Sequence, residues 1–188
     1  MRSANRAVRL KQLALVSVCT ALNLGIGFVV AALKLPFYLD SIGTVLATSL
    51  GGFGTGLATG VLAVLVGSLY TPTLWAYAPT AATIALFVFA THRLGYLHRL
   101  LPTVLWGLAM GFCTAIVSAP ITAYVWGGVS LSGADAFTAL FAATGKNLAN
   151  AVVLGGLSTD PVDKLFTSLV AFLLLRRVPD SWKRLRGQ

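Results

Sequence analysis

The side chains in this sequence that could do chemistry fall into three groups. Lys146, Asn147 and Asn150 lie within one helical turn, and the 146/150 and 147/150 spacings bring side chains together on one helix face. Folded into an apolar bundle, they would be convergent hydrogen-bonding groups of the kind that orient a small molecule. On a solvent-facing helix they would be ordinary surface residues. Asp40 and Ser41 follow a break at residues 34–39, where either suits the N-terminus of a helix. Asp40 also suits a ligand contact or a gate on an outer cavity. Asp163 and Lys164 adjoin late in the chain and can pair with each other or anchor a helix. The third group is aromatic: Tyr38, Tyr70, Trp75, Tyr77, Tyr124 and Trp126. They fit an interfacial belt at headgroup depth, and equally a stacking surface for a flat, heteroaromatic ligand. The predicted substrate-binding set is therefore Tyr38, Asp40, Trp75, Tyr77, Tyr124, Trp126, Lys146, Asn147 and Asn150.

Motifs for other chemistries are missing. The sequence has no GxxxxGK[ST] phosphate loop, no HExxH and no GxSxG. His92 and His98 flank an arginine-containing break. All acids are aspartates (Asp40, Asp135, Asp160, Asp163 and Asp180), and the predicted spans leave none of them in mid-membrane. Cys19 and Cys113 fall in apolar runs and read as small packing residues. No catalytic residue, metal ligand or cofactor is predicted, and the chain is read as non-enzymatic.

The elements that would position these residues are apolar helices. Only 10% of the 188 residues are charged and 57% are hydrophobic, against about 25% charged in a soluble domain. The net charge of +9 is concentrated at the ends. Arg2, Arg6, Arg9 and Lys11 precede the first apolar run, and Arg176, Arg177, Lys183, Arg184 and Arg186 follow the last. That placement fits basic flanks on the cytoplasmic side of membrane spans and leaves no surface for nucleic acid. Residues 13–33 are uncharged and longer than the roughly 7–15 residues of a signal-peptide apolar region, so a retained helix is expected.

Turn signals at 51–54 and 71–79 divide the uncharged stretch after Asp40. An all-α, six-span bundle is predicted, with spans at about 13–33, 37–51, 54–70, 79–97, 103–126 and 161–178 and both termini cytoplasmic. Residues 134–157 are predicted as a re-entrant or surface helix before the last span. This arrangement leaves only Lys34, Lys146 and Lys164 outside. A rival arrangement fuses the second and third helices and inserts 134–157 as a span, placing Arg93 and Arg99 outside. Ser17, Ala21 and Gly25 recur every fourth residue on one face of the first helix, where another helix can approach closely. That face serves packing within the bundle or docking on a partner. Gly52, Gly56 and Gly60 repeat the spacing in the third helix.

The order of features resembles a known family. The small-residue first helix leads to LPFYLDSIGT and then GGFGTGLATG. WGGVSLSGAD and STDPVDKLFTSLVAFLLLRRVP follow late in the chain. Together they resemble the substrate-binding S component of energy-coupling factor (ECF) vitamin transporters, over nearly the whole length. The resemblance implies a six-helix membrane protein that binds a micronutrient at its outer side beneath the loop between helices 1 and 2. It implies docking through helix 1, here Ser17, Ala21 and Gly25, on a transmembrane T component, with two ABC ATPases supplying energy. The family's helix-1 pattern is an AxxxA repeat, from which this sequence departs. A membrane-embedded sensing module of a signalling system is the alternative.

Overall fold

The computed structural model describes residues 2–130, 132–179 and 182, with side chains from Arg6 onward. Asp180, Lys183, Arg184, Arg186 and the Arg2 side chain lie outside that set. The described residues form seven helices and no strand: α1 (Arg2–Ala32), α2 (Ile42–Gly51), α3 (Phe53–Gly67), α4 (Ala78–Thr91), α5 (Leu100–Tyr124), α6 (Asp135–Ala143) and α7 (Leu148–Arg177). Short 3-10 turns at Leu74–Tyr77 and His92–Leu94 flank α4.

α1 begins well before the apolar run, because residues 2–12 contain helix formers and neither proline nor glycine. It stops at the expected break. Pro36 disfavours a helical conformation at Leu35, and Lys34 and Leu39 take positive φ angles of 53° and 48°. The second helix starts at Ile42 rather than near 37, so residues 33–41 form a longer irregular segment than the sequence suggests.

α2 is the centre of the bundle. Every residue from Ile42 to Leu50 is buried, among α1, α3, α4 and α7. At about 1.5 Å per residue, its ten residues are too short to cross a hydrocarbon core of about 30 Å. The capping expected of Asp40 or Ser41 is not what holds the start of α2: Ser41 occupies the N-cap position without a side-chain cap bond. The cap comes instead from α1. Asn23 is buried, its Oδ1 accepts from the Gly43 N–H at 2.6 Å, and its Nδ2 donates to Thr44 Oγ1 at 2.9 Å. Gly43 is glycine because a Cβ there would overlap the Cys19 carbonyl of α1. Asn23→Leu leaves the Gly43 amide unpaired in an apolar setting. An expected loss of about 1–3 kcal/mol would be read as a lower thermal midpoint in detergent, with α-helical content retained.

α5 and α7 form the most extensive helix pair. Gly107 and Gly111 on α5 face α7, where a Cβ on Gly111 would overlap the Pro161 backbone. α7 departs from expectation. The 134–157 region is not one helix but α6, a break at 144–147, and the first turns of α7. Gly145 turns the chain at φ 83°, and Asn147 Oδ1 caps α7 by accepting from the Asn150 N–H at 2.9 Å. α7 then runs without interruption through Pro161, which the sequence reading placed at the start of the last span. An internal proline forfeits one helical hydrogen bond, and here the close α5 contact covers the backbone at that point.

Among the described residues, three helical stretches are long and apolar enough to cross a membrane: Arg6–Ala32, Leu74–Leu94 and Leu100–Tyr124. α2 and α3 are apolar but shorter. Large apolar side chains cover much of the outer surface, Phe28 being 77% and Ile116 70% exposed. Such a surface suits lipid contact, and the chain fits a helical membrane protein.

Candidate ligand site

The polar centre of the bundle is on α7. Asp160, Asp163 and Lys164 follow at i, i+3 and i+4, so they share one face, and all three are buried. Asp160 and Asp163, expected before and at the start of the last helix, both lie inside one long helix. Because α7 starts at Leu148, Asp163 stands halfway along it rather than at its first turn.

These groups hold down the 33–41 segment. Asp163 Oδ1 accepts from the backbone N–H groups of both Tyr38 and Leu39, each at 2.8 Å. Its Oδ2 accepts from Lys164 Nζ, which also donates to Ser41 Oγ at 3.0 Å. Asp40 Oδ1 lies 4.0 Å from the same ammonium and is half exposed. The pairing expected of Asp163 and Lys164 is present, joined to a backbone clamp that the sequence does not announce. Phe37 adds an edge-on contact with Phe166 of α7, ring centroids 5.5 Å apart.

A second segment closes over the first. Asp135 at the start of α6 gathers Ser130 and Ser132. Its Oδ1 accepts from the Ser130 N–H at 2.9 Å and Ser130 Oγ at 2.7 Å, and its Oδ2 from the Ser132 N–H at 3.2 Å. Gly133 is pressed against the Lys34 and Leu35 carbonyls, leaving no room for a Cβ. α6 meets α7 where Gly155 faces Thr138.

Between these pieces lies a small polar cavity. Tyr38, Ser118, Thr122, Ser130, Asp135, Thr138, Thr159 and Asp160 contribute its polar lining, and small residues such as Gly155 and Gly156 complete it. Asp160 Oδ2 accepts from Ser118 Oγ at 3.1 Å. The cavity measures about 20 Å³, room for about one water molecule. A drug-sized molecule needs about 300 Å³ or more, so admission of one requires the 33–41 segment and Gly133 to move apart. Among the described residues, no group of three His, Cys, Asp or Glu side chains is placed to hold a metal ion.

The structure divides the predicted site residues. Tyr38 lines the cavity, and Asp40 lies outside its lining, beside Lys164. Tyr77 adjoins it, its hydroxyl 2.7 Å from Thr122 Oγ1, with Trp126 packed against its ring at 6.0 Å. Trp75 and Tyr124 are exposed, at 58% and 83%. Lys146, Asn147 and Asn150 are exposed around the start of α7, where Asn147 serves as its cap. Ser17, Ala21 and Gly25 are all exposed on α1, and a Cβ on Gly25 would meet nothing within 4 Å. Asp160, Asp135 and the hydroxyls of Ser118, Thr122 and Thr138 were not anticipated. The available signal was the i, i+3, i+4 spacing of Asp160, Asp163 and Lys164, masked by Pro161, which reads as a helix start.

No protein-family model matches the chain, and no curated protein or solved structure matches it significantly.

Proposed function

We propose that the chain is the substrate-binding membrane subunit of an ECF-type importer for a vitamin or related micronutrient, with six spans and both termini cytoplasmic. The observation that carries this reading is the polar cavity inside an apolar bundle, closed by the irregular segment between α1 and α2. Such a cavity has the convergent polar groups of a small-molecule site, and its cover is held to α7 chiefly through Asp163 and Lys164.

Two further features support it. The face of α1 bearing Ser17, Ala21 and Gly25 is open along its length, as docking on a T component requires. The basic parts of the chain also gather at one end. Arg9 lies beside the α2–α3 turn, Phe53 of that turn packs on Phe89 near the end of α4, and Tyr96 is 2.6 Å from Ser168 on the C-terminal half of α7. Arg9, Arg93, Arg99, Arg176 and Arg177 would therefore share the cytoplasmic side.

Affinity purification from native membranes in mild detergent tests the assignment. Recovery of a T component and two ABC ATPases is expected, and Gly25→Leu should reduce that recovery at least 10-fold while leaving the isolated protein's thermal midpoint unchanged. Recovery of a kinase in place of ATPases would favour the sensing module.

A further inference from the structure

We infer that Asp160 anchors a positively charged nitrogen on the transported molecule, so that the cavity takes organic cations and rejects carboxylates and phosphates. This deepens the proposed function and rests on it.

Three charged side chains share one buried face of α7. Asp163 and Lys164 pair with each other, and their remaining capacity goes to Tyr38, Leu39 and Ser41. Asp160 lies one turn earlier; it feels the Lys164 charge across that turn but makes no direct ion pair with it, the ammonium being held by Asp163 and Ser41. It is 6% exposed. One of its carboxylate oxygens accepts from Ser118, and among the described residues the other accepts from nothing. That oxygen belongs to a side chain lining the cavity.

The rest of the lining does not supply a cation. Its second carboxylate, Asp135, is taken up by Ser130 and Ser132. The other polar groups are hydroxyls, and no lysine or arginine lines the cavity among the described residues. A buried carboxylate is costly unless it is paired and hydrogen-bonded. A protonated amine or cationic nitrogen heterocycle entering the cavity supplies that pair, with the hydroxyls of Thr122, Thr138 and Thr159 available to its neutral part. An anionic molecule would instead meet two carboxylates in a low-dielectric space, with no lysine or arginine in the lining among the described residues and the nearest ammonium, Lys164, already paired with Asp163. The arrangement therefore selects by charge as well as by size.

The test is thermal unfolding of the full-length purified protein against a fixed set of probes. Thiamine and pyridoxamine are the cations, riboflavin the neutral compound, and biotin and pantothenate the anions. At least one cation is expected to raise the midpoint, and neither anion to do so. Asp160→Asn keeps the side chain's size and an acceptor for Ser118. It is expected to weaken the binding of that cation about 100-fold, while its ligand-free midpoint equals or exceeds that of the wild type. Stabilisation by riboflavin or an anion, with affinity unchanged in Asp160→Asn, would overturn the inference and leave a ligand-binding subunit in place. If no probe shifts the midpoint while a T component and ATPases still co-purify, the charge selection fails and the importer reading stands. If no probe shifts it and no such partners are recovered, both fail.

Discussion

Asp163→Ala is expected to lower the thermal midpoint of the purified protein by roughly 10 °C or more. Removing one member of a buried ion pair costs about 3–5 kcal/mol, because the other charge is left in a low-dielectric interior. In a chain of this size about 1 kcal/mol corresponds to about 2–4 °C. Here the loss is compounded. The Lys164 ammonium loses its direct counterion, and the Tyr38 and Leu39 amides lose the single oxygen they share. Differential scanning fluorimetry in detergent reads the change. A double variant, Asp163→Ala with Lys164→Met, removes both charges and should be more stable than Asp163→Ala alone, a coupling that separates the pair from a general loss of packing. In both proteins the 33–41 segment should become accessible. A cysteine introduced at Leu39, on a background lacking Cys19 and Cys113, should react at least 10-fold faster with a polar thiol reagent than it does without the Asp163 change. Equal stabilities and equal labelling would mean that Asp163 does not hold the segment.

Gly111→Leu is expected to have the largest effect of any single change, through sterics rather than charge. A Cβ at Gly111 would already overlap the Pro161 backbone and stand 2.6 Å from the Asp160 carbonyl. No side-chain rotation relieves a clash with backbone, so α5 and α7 must separate. Overpacking in a core commonly costs about 1–3 kcal/mol, and a displaced helix pair costs more. The protein should fail to accumulate as a monodisperse species in size-exclusion chromatography. Gly54→Leu is the matched control, because a Cβ there meets nothing within 4 Å and Gly54 is exposed. It should accumulate like the wild type. A well-behaved Gly111→Leu protein would contradict the close α5–α7 crossing on which the position of Asp160 depends.

Much of the helical framework is legible in the residues, for reasons that are physical. Residues 13–33 lack charge and helix breakers, and Pro36 marks the break after them. The glycines at 51–54 divide α2 from α3, and the run after Pro102 reads as one long apolar helix. What lies between helices is harder to read. The start of α2 depends on Asn23, a residue of another helix, so no local cap at Ser41 announces it. Pro161 has the local signature of a helix start, yet it sits inside α7 because Asn147 caps the helix 14 residues earlier and Gly111 admits the backbone.

The site shows the same division. Tyr38 and Asp40 stand where the break implies. The charged residues of α7 are visible in the sequence, but charge alone reads as water-facing. Their burial follows from pairing across three segments, which only the tertiary arrangement brings together. Lys146, Asn147 and Asn150 have the right spacing for convergent donors, but the break at Gly145 places them at an exposed helix start. Trp75 and Tyr124 project outward, where apolar rings suit a membrane interface as readily as a ligand.

The central claim is that this bundle holds a small molecule between α5, α7 and the segments that close over them. Native mass spectrometry of the protein, purified in mild detergent from cells grown in rich medium, tests it most directly without prior choice of ligand. The account expects a 1:1 adduct of micronutrient mass in the wild type, lost when Thr122→Trp fills the cavity of an otherwise folded protein. A wild-type spectrum free of any such adduct, unchanged after incubation with a vitamin mixture, would contradict it.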